Sequence, residues 1–242
     1  QPQMRRSFVR AGPDALELLD RDERRIDSRA DLRLQRSAAA PPAAQAQRTL
    51  LAGTLRRAGP DGLGLQPCAG DARRAVDVSP ENMVTAVLTD LGLDRRGALY
   101  VEAFGRVVDG VAMIERLNRA GVEMGCPPPG SDLRWQAQGN EPFWALRADA
   151  HRIEFSQPGA EPIAKPSIEP TWRWQGRRDR ASAHLHAQTE RGPFEARLSP
   201  GICRDTMADA AYGYRAEVTV ADARAQRTFT GCAFLGAAAW QP

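Results

Sequence analysis

The chain has 242 residues, and its 33 basic and 30 acidic residues nearly cancel to a net charge of +3. Lys165 is the only lysine, and the arginines are scattered among Asp and Glu, which argues against a basic stripe for nucleic acid. The sequence lacks an apolar run of the roughly 18 residues that a membrane-spanning helix requires. We therefore expect a globular chain with neither nucleic acid as a partner nor a transmembrane segment.

The first 46 residues differ in composition from the rest of the chain. They are charged, then rich in Ala and Pro, and end in Ala44-Gln45-Ala46, which has the small-x-small pattern of a signal peptidase site. A charged stretch stands where a signal peptide would have its apolar segment. Residues 1–46 are therefore predicted to be disordered or extraneous, with a frayed surface helix as the alternative.

From Arg48 onward, short alternating runs separated by turn signals predict β structure. Three strands are expected first, at 49–59, 63–68 and 73–79. A helix should follow, because Ser79 is a good N-cap, Pro80 suits the first helical position, and apolar residues recur at helical spacing up to Gly92.

Two longer strands are predicted next, at 98–108 and 112–124, joined by a hairpin around an Asp-Gly pair. The order of three strands, a helix and two strands is that of an OB-type barrel, for which about 75 residues suffice. Residues 47–126 are therefore predicted to form an OB-like β-barrel domain. Three consecutive prolines then predict a linker at 127–130.

The remainder, residues 131–242, contains eight candidate strands separated by turns. They are WQAQGN, FWALRAD, RIEFSQ, TWRWQGR, ASAHLHAQT, GPFEARLSP, YRAEVTVA and QRTFTGCAF. Because no helical pattern intervenes, an antiparallel eight-strand barrel or sandwich is predicted. The predicted fold class is thus mostly β, with a small OB-like barrel followed by this second domain.

Two histidines alternate within one of these strands. The period of two places His184 and His186 on one face and Leu185 on the other. Solvent-facing polar residues are favoured over a metal pair, because the sequence indicates no third ligand. Neither a metal site nor a cofactor is predicted.

Four cysteines allow three pairings. Two lie in each half, so the bridges Cys68–Cys126 and Cys203–Cys232 would each staple one domain, and the proline-rich linker disfavours bridges between the halves. A zinc site is less favoured, because no two cysteines have CxxC spacing. Disulfides form in oxidising compartments, so this pairing favours a periplasmic or envelope location.

The segment ICRDTMAD contains two carboxylates, Asp205 and Asp209, four residues apart. One helical turn would place both on the same face, where burial could separate their pKa values for acid-base work. Asp is also favoured as a cap of turns. We prefer capping, because neither a nucleophile nor a metal ligand accompanies the pair, and the chain has no GxSxG motif.

The segment GNEPFW permits two interpretations. As a strand entry, Asn140 and Glu141 would satisfy backbone groups, Pro142 would block edge pairing, and Phe143 or Trp144 would fill the barrel. Alternatively, polar residues of the two segments line the mouth of the barrel, where small barrels bind ligands. The candidate ligand-binding residues are Asn140, Glu141, Trp144, Arg204, Asp205, Asp209 and Tyr212.

The motifs GNEPFW, CRDTMAD, YGYRAEV and GCAF together resemble those of a family of proteobacterial envelope proteins of the lipoprotein type. Ala208 stands where that family usually has Ser. The first half, on Pro67-Cys68 and LYVEAFGR, is similar to the OB-like module of NlpE-like envelope-stress lipoproteins, and the second half is similar to META or HslJ-like barrels. The resemblance covers residues 49–234. It implies an envelope location and intradomain disulfides, and it assigns no activity.

These observations predict a non-enzymatic envelope protein, periplasmic or lipoprotein-like, that binds a ligand or a protein partner in envelope stress or as a lysozyme-inhibitor-like binder. A carboxylate-dependent hydrolase is one alternative. The other is an OB-type binder of single-stranded nucleic acid, which needs exposed aromatic side chains beside a basic groove. It is disfavoured, because the first domain offers only Tyr100 and Phe104, whose spacing on one strand face is typical of core residues.

Overall fold

A computed structural model describes part of the N-terminal segment and most of the remaining chain. The described residues are 7–12, 15–19 and 34–35, backbone only, and 48–236 without 60–61, 129–131, 150–151, 167–172, 176–181, 190–191 and 222–224; residues 165–166 and 173–175 are also described by backbone only. The chain divides into two compact units, Gln1–Ala46 and Gln47–Pro242.

The first unit contains a small antiparallel sheet. Its strands are β1 (Ser7–Gly12), β2 (Ala15–Leu19) and β3 (Leu34–Gln35), in the order β1-β2-β3. Most of residues 1–46, which were predicted to be disordered or extraneous, lie outside the described part of the chain.

Five strands at the start of the second unit close into a barrel. They are β4 (Thr49–Arg57), β5 (Leu63–Pro67), β6 (Arg73–Asp77), β7 (Ala98–Val108) and β8 (Val111–Gly121). The first three form an antiparallel meander, β6 runs parallel to β8, and β7 pairs with both β8 and β4. The predicted small closed barrel is confirmed, because all five strands have a neighbour on each side.

The predicted helix lies between β6 and β7, but it begins later than expected. Pro80–Asn82 form a 3-10 turn in which Glu81 and Asn82 have positive φ, so α1 spans Met83–Asp90. Capping is shared between two side chains: the Ser79 hydroxyl accepts from the Val84 N–H at 3.1 Å, and the Asp77 carboxylate accepts from the Thr85 N–H at 2.6 Å. A second short helix, α2 (Leu93–Arg96), follows the left-handed Gly92.

Nine further strands are found in the described residues after 132. They are β9 (Trp135–Asn140), β10 (Phe143–Ala148), β11 (Arg152–Ser156), β12 (Ile163–Pro166), β13 (Arg173–Gln175), β14 (Ser182–Thr189), β15 (Gly192–Asp205), β16 (Ala210–Ala221) and β17 (Gln226–Leu235). They pair antiparallel in the order β12-β11-β10-β9-β17-β16-β15-β14-β13. All eight predicted strands are present, and β12 is the addition, a short edge strand bounded by prolines that alternation could not reveal.

The two halves of this unit share one sheet, and each has its own main core, although Phe104 of β7 packs in the second-half core and Ala211 of β16 in the barrel core. Residues Ala210–Tyr212 of β16 pair with Gly121–Arg119 of β8. The barrel core includes Leu55 and Leu88. The core of the second half includes Trp135. The predicted division at a linker, 127–130, falls partly outside the described residues.

Both predicted disulfides are confirmed. Cys68 is bonded to Cys126, and Cys203 to Cys232. Each bridge lies within one half of the second unit and supports an oxidising location. None of the described helices is long and apolar enough to span a membrane.

Candidate functional site

A network of buried polar side chains lies where β16 changes its neighbour. The first residues of β16 pair with β8, and those from Tyr214 onward pair with β17. Gly213 stands at the change, and a Cβ there would lie only 2.1 Å from the carbonyl oxygen of Leu117. Glycine is therefore required for the close approach of the two halves at this point.

Glu102 on β7 is the centre of the barrel side of this network and is only 2% exposed. Its Oε1 accepts hydrogen bonds from the Tyr100 hydroxyl at 2.8 Å and from Arg119 at 2.5 Å, and its Oε2 accepts from Asn118 Nδ2 at 3.1 Å. The Asn118 amide also donates to the Leu235 carbonyl and accepts from the Leu235 N–H, at 2.8 and 2.9 Å. Asn118 therefore fastens β17 to the barrel.

Asp205, 7% exposed, is the centre of the other side. Its Oδ1 accepts from Asn140 Nδ2 at 2.8 Å and from the backbone N–H groups of Met207 and Ala208 at 3.1 Å, and its Oδ2 accepts from Gln138 Nε2 at 3.3 Å. The capping interpretation is confirmed for Asp205, because its carboxylate caps the turn between β15 and β16. It also ties that turn to the β9–β10 hairpin.

Aromatic contacts join the two sides. Gln138 Nε2 lies 3.1 Å from the Tyr212 hydroxyl oxygen, and the Tyr212 ring stacks on Phe234 with centroids 6.0 Å apart. The Arg119 guanidinium lies 4.2 Å from the Phe234 ring centroid. Polar and aromatic contacts thus run without a break from Glu102 to Asp205.

Two predicted site residues lie at the surface instead. Arg204 pairs with Asp90 of α1 at 2.6 Å, and Asp209 pairs with Arg96 of α2 at 3.0 Å. Asp205 ends β15, whereas Asp209 lies in the following turn with 64% of its side chain exposed. The structure therefore gives the two carboxylates different partners and does not place them on one helical turn.

The GNEPFW segment forms the tip of the β9–β10 hairpin. Trp144 is a core residue, 4% exposed, whose Nε1 donates to the Thr230 carbonyl at 3.2 Å and whose ring packs on Phe155 and Phe229. Phe143, the alternate residue, is 54% exposed. Glu141 is exposed and joined to Pro142 by a cis peptide bond. An open cleft at the tip is lined by Asn140, Glu141, Pro142, Phe143, Gln157 and Pro158.

Of the seven predicted site residues, the structure brings together Asn140, Asp205 and Tyr212. The predictions missed the residues that complete the network, Gln138, Tyr100, Glu102, Asn118 and Arg119. Their convergence depends on the pairing of β8 with β16, which is remote in sequence. A local signal existed only for Glu102, the single charge among the first eight residues of β7, which are otherwise uncharged.

Comparison with known proteins gives no match. Family models, curated proteins and solved structures were all compared with the chain, and none is significantly similar to it. What the network can do therefore follows from its contacts. Glu102 accepts three hydrogen bonds and Asp205 accepts four from the chain itself, an arrangement suited to fixing strands and turns rather than to activating water.

The histidine pair lies on β14 as alternation predicted, with Leu185 buried between the two side chains. Glu195 of β15 stands directly opposite His186. One potential ligand atom from each of His184, His186 and Glu195 lies within 4.8 Å of the others. The sequence argument against a metal pair rested on the missing third ligand, and Glu195 supplies one.

Isosteric substitution should distinguish the contributions of Asp205 and Asp209 to stability. Asp205→Asn should lower the free energy of unfolding by about 1–3 kcal/mol, because its amide nitrogen would replace one carboxylate oxygen and face the donor bound there, Asn140 at Oδ1 or Gln138 at Oδ2. Asp209→Asn, which removes only an exposed ion pair, should cost about 0–1 kcal/mol. Urea denaturation of both variants measures the difference, and equal losses would contradict the assigned roles.

Alkaline pH should destabilise the chain through two tyrosines. Burial, followed by the charge of Glu102, raises the pKa of Tyr100. Burial, followed by the charge of Asp205, raises the pKa of Tyr212, and the charge of Arg119 partly opposes this increase. Since both folded-state pKa values exceed the unfolded value of about 10, the stabilising contribution is complete below about pH 10 and is lost as pH rises through the folded values.

The melting temperature should accordingly fall above about pH 10, and less steeply in Tyr100→Phe and Tyr212→Phe. Thermal unfolding monitored by circular dichroism across this range provides the measurement. A native-state absorbance titration in which both phenols ionise like free tyrosine would contradict the assignment.

Proposed function

We propose that the chain is a non-enzymatic binding protein of the bacterial envelope, which captures a protein partner or ligand at the tips of the β9–β10 hairpin and the β15–β16 turn. The observation that carries the proposal is the exposure of Phe143 and Met207, at 54% and 68%. These values exceed those of every other large apolar side chain in the described part of the chain. We call these two side chains and their turns the apolar tip.

The apolar tip has a rigid support. Phe143 pairs with Asn140 across the hairpin, Asn140 donates to Asp205, and Asp205 accepts from the Met207 N–H. One carboxylate therefore holds both turns. Because a preorganised surface loses less conformational entropy on association, this frame favours binding. Aromatic residues and Met are also enriched at interfaces.

Charged side chains occupy the same two turns. Arg204 and Asp209 flank the turn that carries Met207, and both are paired with residues of the helices. Glu141 lies next to the hairpin tip and is exposed. Apolar groups with polar neighbours are typical of protein interfaces, where the polar residues contribute to partner choice more than to affinity.

Two features support the envelope location. Disulfides form and persist in oxidising compartments, and the sequence motifs resemble those of envelope lipoproteins. The order of the barrel strands, with a helix between the third and fourth, supports an OB-type assignment for the first half. A META or HslJ-like assignment for the second half is supported by its all-antiparallel sheet, in which two meanders, β9–β12 and β13–β17, join where β9 pairs with β17.

The alternative functions have weaker support. A hydrolase built on Asp205 would need that carboxylate for substrate, whereas four donors of the chain already occupy it. A nucleic-acid platform would need exposed aromatic rings, whereas Tyr100 and Phe104 are 5% and 1% exposed. Both observations favour binding through the apolar tip.

Capture from a periplasmic extract tests the proposal. Immobilised wild type is compared with the double variant Phe143→Ser/Met207→Ser and with a matched control, Met83→Ser/Val108→Ser, which replaces exposed apolar residues elsewhere. The partner should be retained by wild type and control, and its affinity for the tip variant should fall at least about tenfold. Retention of every captured protein by the tip variant would contradict the proposal.

A further inference from the structure

The cluster of His184, His186 and Glu195 lies on a regular part of the sheet. In β14, Leu185 points into the core, so the flanking histidines share the solvent face. In β15, Phe194 and Ala196 are buried, so Glu195 points to the same side. The register places Glu195 directly opposite His186. We propose that these three side chains form a site for a divalent transition-metal ion of the zinc class.

The separation of the ligand atoms suits such an ion after a small contraction. The three potential ligand atoms lie within 4.8 Å of one another. Zinc bonds to nitrogen and oxygen of about 2.0–2.2 Å in a tetrahedral site place ligand atoms roughly 3.3 Å apart. All three side chains are at least partly exposed, so side-chain rotation can supply the contraction while the backbone ladder stays fixed.

The ligand types select the class of ion. Two imidazoles and one carboxylate suit zinc and similar late transition metals, whereas calcium and magnesium prefer sites made of oxygen ligands alone. The four cysteines are bonded in disulfides, so thiolates do not compete for the metal. Three protein ligands leave a fourth position for water or for a group from a partner.

Arg197 is the neighbouring charge at this site. Its Nε donates to Glu195 Oε1 at 2.8 Å, and it stands opposite His184 in the ladder. Both side chains of this pair retain solvent, with 53% of Arg197 and 31% of Glu195 exposed. The ion pair therefore occupies one carboxylate oxygen and leaves the other for a metal ion.

Calorimetric titration of the untagged, oxidised full chain with zinc chloride tests the site. We expect saturable binding of one ion per chain, and no comparable binding of calcium. Since the loss of a mere supporting residue costs about 10–100-fold in metal affinity, loss of a direct ligand should cost at least about tenfold. This is the effect expected for His184→Gln, His186→Gln and Glu195→Gln.

Glu154→Gln serves as a matched control, because Glu154 is also a strand carboxylate paired with an arginine, Arg152. It should leave the zinc affinity unchanged. Circular dichroism spectra identical to wild type would show that each variant is folded. Absence of saturable zinc binding by the wild type would overturn the proposal. Wild-type affinity in Glu195→Gln would also overturn it, since it would reduce the site to chelation by two histidines.

Discussion

Glu102→Gln is expected to lower the free energy of unfolding by about 3 kcal/mol, the largest loss that we expect from a single substitution in the network. The carboxylate is 2% exposed and pairs with Arg119, whose side chain is 19% exposed. Glutamine keeps the shape but removes the countercharge. The guanidinium would then remain largely desolvated without a partner of opposite charge, which is the costly outcome of breaking a buried ion pair.

Guanidinium chloride is unsuitable for this measurement because it screens charges, so urea denaturation should be used. Glu115→Gln provides the control. Glu115 on β8 also pairs with arginines, Arg48 and Arg106, but these are 42% and 44% exposed. Its loss should cost about 1 kcal/mol or less. Equal losses in the free energy of unfolding for the two substitutions would contradict the claim that burial makes the Glu102 ion pair more important for stability.

Removal of the second disulfide should have an effect of similar size. The double variant Cys203→Ala/Cys232→Ala opens a bridge with a sequence separation of 29 residues. Loop-closure entropy predicts a loss of about 3–4 kcal/mol in the free energy of unfolding. Replacing both residues avoids a free thiol that could pair wrongly with the first disulfide.

Urea denaturation of this variant under non-reducing conditions measures the loss. Peptide mapping should show Cys68 still bonded to Cys126, which confirms that the remaining bridge is native. An unchanged urea midpoint would mean that the bridge does not constrain the unfolded chain. The pairing itself would be contradicted by a crosslinked peptide that joins the two halves in the wild-type protein.

Alternation and turn signals were sufficient to predict most of the fold. The long hairpin of β7 and β8 follows from its Asp-Gly turn, and the helix follows from apolar spacing. The predicted helix start was wrong because Glu81 and Asn82 adopt positive φ. The capping and apolar-spacing pattern does not reveal that backbone conformation. Strand β12 was missed because its four residues, the last of them a proline, are too few to show an alternating pattern.

The site was only partly predictable, for a related physical reason. Asn140 and Asp205 were identified because each lies in a distinctive local segment. Glu102 and Asn118 were not, because their partners come from pairings remote in the chain. Trp144 was taken as a site candidate, whereas strand alternation turns its side chain into the core. Glu195 could join the histidines only once the register of β14 with β15 was known.

Site-specific photocrosslinking tests the proposed function most directly. A photoreactive amino acid replaces Phe143 or Met207 in the apolar tip or, as a control, Val108, which is 39% exposed on the barrel. Irradiation in the periplasm should crosslink the same partner from both tip positions and not from Val108. Crosslinking of that partner from Val108 alone, or from none of the three positions, would contradict binding through the apolar tip.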